Sequence, residues 1–214
     1  MRRVIYYLVL VFLFSSIDST AQNFEGIIIF ERKTYSNKIA IETYYFGQNK
    51  LRIDSRFFLN GEVKDYVSVF DFAKNTNLYY SGETGKLKET IIEKSLIDTF
   101  SLSQDTSKVI LDRNTVRMNV NFQTLNEYGT RISQKRHLAK DLFFQIPKEW
   151  ILEYIMVSNI DNRIVLRVDE KIGSDQILSK GYIRKAKVII ETSLPESLFD
   201  VNLINEPCSS LYKK

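Results

Sequence analysis

The sequence predicts a single, mainly β, antiparallel domain, and three observations carry that expectation. Apolar and polar residues alternate without a fault over 116–122, VRMNVNF, the period of a strand with one buried and one wet face. Turn signals such as Asn60-Gly61 and Ser81-Gly82-Glu83-Thr84-Gly85 separate the apolar runs at about the 8–12-residue spacing of strand-rich domains. Aromatic residues make up 13% of the chain, and such side chains pack best on a pleated surface. Parallel βαβ architecture would need an amphipathic helix between most strands, and the connections are too short. A meander, a sandwich and a barrel all fit the pattern.

The elements follow in order. Residues 26–34 form the first strand, with Ile27 and Ile29 on one side and Ile28 and Phe30 on the other. A strand apolar on both sides must be covered on both, so it belongs inside the architecture and not at an edge. Residues 39–46 and 50–57 follow around Gly47-Gln48-Asn49. Asn60-Gly61 marks a type I′ hairpin, because both residues tolerate positive φ. Strands over 66–72, 77–80 and 86–92 come next. The second half adds 116–122, 128–138, 151–157, 163–170 and 182–191, with a turn at Asp161-Asn162. Leu96, Ile97 and Phe100 stand at helical spacing and predict a short helix over 93–102. A second single turn is expected at Lys148-Glu149-Trp150, after Pro147.

Residues 1–21 read as a secretory signal. Arg2 and Arg3 precede an unbroken apolar run over 4–14, and Ser19-Thr20-Ala21 offers small residues for cleavage before Gln22. The run of about 11 residues is short of the roughly 20 that cross a bilayer as a helix. Residues 22–214 are then expected to be one soluble domain in the periplasm or outside the cell, not membrane-spanning. Cys208 is the single cysteine and lies far from the signal, which excludes an intramolecular disulfide and argues against lipid anchoring. The net charge of +4 is spread along the chain instead of being gathered on one element, so nucleic acid is not an expected partner. The clusters Lys135-Arg136-His137 and Arg184-Lys185-Ala186-Lys187 read as solvated faces of a sheet.

Little in the sequence announces a reaction. His137 is the one histidine; it shares strand parity with Arg131, Ser133 and Lys135 and is expected to face solvent. No Gly-x-Ser-x-Gly elbow, phosphate loop or metal-ligand spacing occurs. Asp169 and Glu170 are adjacent and should point to opposite faces. No catalytic residue, metal or cofactor is therefore expected, and the chain reads as no enzyme. Aromatic clusters such as Tyr44-Tyr45-Phe46, Phe57-Phe58 and Tyr79-Tyr80 place rings on both faces of several strands, which calls for a second covering layer or an apolar cavity.

These residues carry a resemblance. The strand at 24–30 just after the signal, the pair around TYYFGQNKLRID (43–54), the strand-turn-strand VFDFAKNTNLYY (69–80) and the late PESLFDV (195–201) resemble exported bacterial proteins of the outer-membrane lipoprotein carrier-like fold. The chain departs from one related subgroup in lacking a Gly-Leu-Pro-Gly-Leu-Ile run, the comparable place being QIPKEWILEY (145–154). The resemblance implies a strongly curved antiparallel open half-barrel with one or two short covering helices. It also implies non-covalent binding of a lipid, an acyl chain or a lipoprotein on the concave side. Under that implied binding the lining candidates are one face of the cleanest strand, Val116, Met118, Val120 and Phe122, with Tyr45 and Val67; periodicity by itself predicts only that these residues are buried. The alternative is a cell-envelope structural or interaction module with a solid core, whose partner is another envelope protein.

Overall fold

The computed structural model describes residues 23–34, 38–59, 61–91, 97–103, 108–123, 131–147, 155–158, 160–173 and 178–200. Twelve strands dominate them: β1 (Gly26–Thr34), β2 (Ile39–Phe46), β3 (Lys50–Leu59), β4 (Glu62–Asp71), β5 (Thr76–Ser81), β6 (Lys86–Ile91), β7 (Ile97–Ser103), β8 (Val109–Ile110), β9 (Arg113–Gln123), β10 (Arg131–Phe143), β11 (Arg163–Gly173) and β12 (Leu178–Glu191). Helix among the described residues is limited to the 3-10 turn Glu196–Phe199.

The strands form one sheet in the order β6-β5-β4-β3-β2-β1-β12-β11-β10-β9-β7, with β8 paired to β9 beside this path. Every strand pairing is antiparallel. β1 stands at the centre of this order, flanked by β2 and β12. Its Ile28 and Phe30 are buried, and Ile27 and Ile29 on the other side are half-buried. The first strand is thus interior, as its sequence requires. Gly26 opens it at a close approach: a Cβ there would stand 2.1 Å from the Ile190 carbonyl oxygen on β12.

Chain connectivity forces this sheet to roll. Its two edges, β6 and β7, are joined by the few residues between Ile91 and Ile97, a span of at most about 22 Å. Laid flat, the ten strand spacings from edge to edge would measure about 48 Å. Ring contacts fix the direction of curvature. Phe144, just past β10, meets Phe72, just past β4, with centroids 5.7 Å apart, and meets Phe46 at 5.0 Å. The result is an open half-barrel, unclosed between β6 and β7.

Cross-strand partners share a face, so the register assigns each residue. The concave face carries Ile28, Phe30, Tyr44, Phe46, Leu51 and Phe70 and continues through Ala186, Val168 and Met118. At one end it is filled by Phe144, Ile146, Ile155, Met156 and Val157, all buried in the main core. The convex face carries Ile27, Tyr45, Val67 and Val69, and the 3-10 turn crosses it with Phe199 packed on that group. Arg52 Nη1 donates to the Leu198 carbonyl at 2.9 Å, and the Leu194 N–H donates to Glu25 Oε1 at 2.7 Å, which pin the crossing.

Four expectations change. Residues 97–102 are strand, not helix, because β7 supplies the second neighbour that the alternating β9 needs. The rest of that segment, and the turn expected at 148–150, lie outside the described residues. The strand expected over 151–157 is, in its described part, a tucked segment with a single bridge from Val157 to Ile164. Ile155, Met156 and Val157 are buried consecutively, whereas a half-buried strand would bury only alternate residues. His137 is buried at 3% exposure, not solvent-facing. The basic clusters divide by parity: Lys135, Lys185 and Lys187 are exposed while Arg136 and Arg184 are buried, so neither cluster is simply a solvated face.

Candidate functional site

The apolar fill stops partway along the concave face. Beyond it, rows built from Ile28–Tyr44–Ile53–Ser68–Tyr79 and Phe30–Glu42–Ser55–Tyr66 run across β1 to β5. Small serines stand there between large rings. The space they leave is a cavity of about 430 Å³, walled by Ile53, Phe57, Tyr66 and Tyr79, with Ser55 and Ser68 between them and Arg32, Glu42, Tyr44 and Arg184 completing the lining. Tyr66 and Tyr79 stack at 6.1 Å between centroids, and Phe57 meets Tyr66 edge-on at 5.5 Å. Aromatic pairs in these geometries contribute about 0.5–1.5 kcal/mol beyond their buried area.

The charged lining has a definite order. Arg184 Nη2 donates to Glu42 Oε1 at 3.1 Å, and its Nε makes a 2.7 Å ion-pair contact with Oε2. Tyr44 donates its hydroxyl to the same carboxylate at 3.5 Å. Burial pushes the Tyr44 phenol far above its usual range, so it stays a donor. Arg32 lies farther off, its Nη1 3.7 Å from Glu42 Oε1. Its guanidinium sits over the Tyr182 ring at 4.1 Å, and Arg184 approaches the same ring at 5.2 Å. A second buried group continues along the face, with Gln134 Nε2 donating to Glu170 Oε2 and Arg136 Nε donating to Gln134 Oε1, both at 2.7 Å. Buried ion pairs gain little net stability over apolar replacements, because desolvation offsets their attraction. Their presence here specifies the polarity of the hollow.

Five of the six lining candidates have described side chains, and these divide between the faces. Met118 and Val120 are buried in the main core on the concave side, and half-buried Val116 packs against it. Tyr45 and Val67 belong to the convex cluster under Phe199. There they help line a separate groove of about 300 Å³ with Ile29, Ile41 and Phe58. Phe122 lies in β9, and its side chain is outside the described set. Asp169 and Glu170 do face opposite ways: Asp169 holds Arg167 at 2.9 Å, while Glu170 takes Gln134. Arg32, Glu42 and Arg184 were missed from sequence. Their signal was a charge at apolar parity: Arg32 with Ile28 and Phe30, Glu42 with Tyr44 and Phe46, Arg184 with Tyr182 and Ala186.

Among the described residues, no group of three or more His, Cys, Asp or Glu side chains stands close enough to hold a metal ion, and no helix is long and apolar enough to cross a membrane. No family matches the chain, and no curated protein matches its sequence. Among solved structures it is similar to a domain from Vibrio parahaemolyticus described as a "putative outer membrane lipoprotein-sorting protein domain". The TM-score is 0.39 at 11% identity, over 85% of this chain and 91% of that one.

Proposed function

We propose that the protein is a non-catalytic binding module that holds a lipid or acyl chain in the hollow of its rolled sheet, exported to the periplasm or beyond after loss of residues 1–21. The observation that carries this reading is the cavity of about 430 Å³ on the concave face, which lies in the size range of small-molecule sites, about 300–1,000 Å³. Its walls are mainly rings and aliphatic carbon, and each methylene transferred into such a site contributes about 0.8 kcal/mol. The carboxylate at its base is occupied by Arg184, which suits a fixed binding surface better than proton transfer. Displacement of an uncharged fluorescent apolar probe by added lipid tests the proposal. Ser68→Trp places an indole in the hollow and should abolish probe binding while the circular dichroism spectrum is kept. Probe binding unaffected by that substitution would place the ligand elsewhere.

A second reading rests on the convex face. Ile39, Phe58 and Val63 are exposed and directly opposite one another in register, beside the groove of about 300 Å³. Such a row suits an envelope interaction module. Phe58→Ser would then impair partner binding and leave lipid binding intact.

A further inference from the structure

We infer that the ligand of the concave cavity is an acidic amphiphile, and that Arg32 receives its carboxylate or phosphate head group. The inference rests on the binding reading above and narrows the chemistry of that site. Among the lining residues, two arginines face one glutamate, so the wall is positive. Arg184 and Glu42 occupy each other and are closed to solvent, each side chain being 3% exposed. The Arg32 side chain is 28% exposed and is the cation that a ligand can reach.

Its donors are also under-used. A guanidinium offers five N–H groups. Among the described residues, Arg32 Nε is buried with no hydrogen-bond partner, and the Glu42 oxygen at 3.7 Å lies beyond hydrogen-bond range. Stacking on Tyr182 holds the guanidinium plane in place, so an arriving anion meets a pre-oriented fork of donors. A neutral amphiphile filling the hollow would strip water from this cation and return no acceptor, which costs binding energy. An anionic head group supplies the acceptor where the low-dielectric wall strengthens the attraction. The apolar body then lies against Phe57, Tyr66 and Tyr79. One side chain thereby selects acidic ligands and rejects neutral ones of equal length.

Calorimetric titration of the purified protein with dodecanoate, dodecyl phosphate and dodecanol tests this. The expected result is that at least one of the two anions binds about ten- to a hundredfold tighter than the alcohol, the value of a charge-assisted hydrogen bond. Whichever anion binds tighter identifies the head group. Arg32→Gln should collapse the ratio of anion to alcohol affinity towards one, and Arg32→Lys should restore part of it, with circular dichroism confirming that both fold. Equal affinity for all three ligands, or a ratio untouched in Arg32→Gln, overturns the assignment of Arg32 and leaves the binding reading in place. Failure of all three to bind, with the uncharged probe also unbound, overturns the binding reading itself.

Discussion

His137 shows how a single side chain can contradict its parity. Its strand neighbours Ser133 and Lys135 are half-buried and exposed, yet His137 is enclosed between its cross-strand partners Arg117 and Arg167. Burial holds its pKa below the usual histidine value, and the nearby Lys108 acts in the same direction. The imidazole is therefore neutral in the fold, while the unfolded chain takes up a proton near pH 6.5. The unfolded state binds more protons below that pH, so stability should fall as pH drops through about 6.5 towards the depressed folded value. Urea midpoints at pH 7.5 and 5.5 should differ less in His137→Gln than in the parent, and equal differences would contradict this. Glu42 gives the second test at this scale. Glu42→Gln leaves Arg184 charged and buried, and should cost about 3–5 kcal/mol in urea unfolding. Substituting both residues by apolar ones should recover most of that loss; a loss under 1 kcal/mol in the single variant would show that the pair is not buried in solution. The three charges of the hollow were legible only as exceptions to apolar alternation. A period-of-two pattern identifies a face, but it does not say whether a charge on that face is paired inside or has slipped outside.

At the scale of elements, strands with clean turn chemistry could be placed closely from sequence. β1 and β2 fall at the expected residues, and Leu59 pairs with Glu62 where a hairpin was expected, with Gly61 at φ 83°. The β8–β9 turn was invisible because its two central residues, Leu111 and Asp112, are not a turn dipeptide. They adopt φ of 49° and 61°, a type I′ conformation that a leucine enters at a cost of about 1–2 kcal/mol. Leu111 is exposed, so its side chain contributes little packing. Leu111→Asn should therefore stabilise the protein by about 0.5–1 kcal/mol, read as a higher thermal midpoint. A lower midpoint would mean that the turn is not as described. The 93–102 segment misled for a different reason. Leu96, Ile97 and Phe100 satisfy helical spacing, but a helix of two or three turns is marginal on its own, and the seven-residue strand pairs along β9 instead.

For the whole molecule, the half-barrel is a consequence of connectivity as much as of local preference. Two antiparallel runs, β1 to β6 and β7 to β12, are stitched at the centre by β1 and β12, and the short passage from β6 to β7 draws the outer edges together. Most of the strands and the antiparallel class were legible from residues, since they depend on local alternation and turns, whereas β7 and β8 were not. The pairing of β1 with β12 joins residues more than 140 positions apart, and no periodicity reports such a contact. The same limit explains the divided lining set. Tyr45 stands between Tyr44 and Phe46, so either parity of β2 looks apolar, and curvature alone decides which ring faces the hollow. The most direct measurement of the central claim is native mass spectrometry of the protein purified from cells without detergent or organic solvent. An adduct with the mass of an acidic lipid, present in the parent and absent from Ser68→Trp, is the expected result. A bare polypeptide mass in both, unchanged when acidic lipids are added in excess, would contradict it.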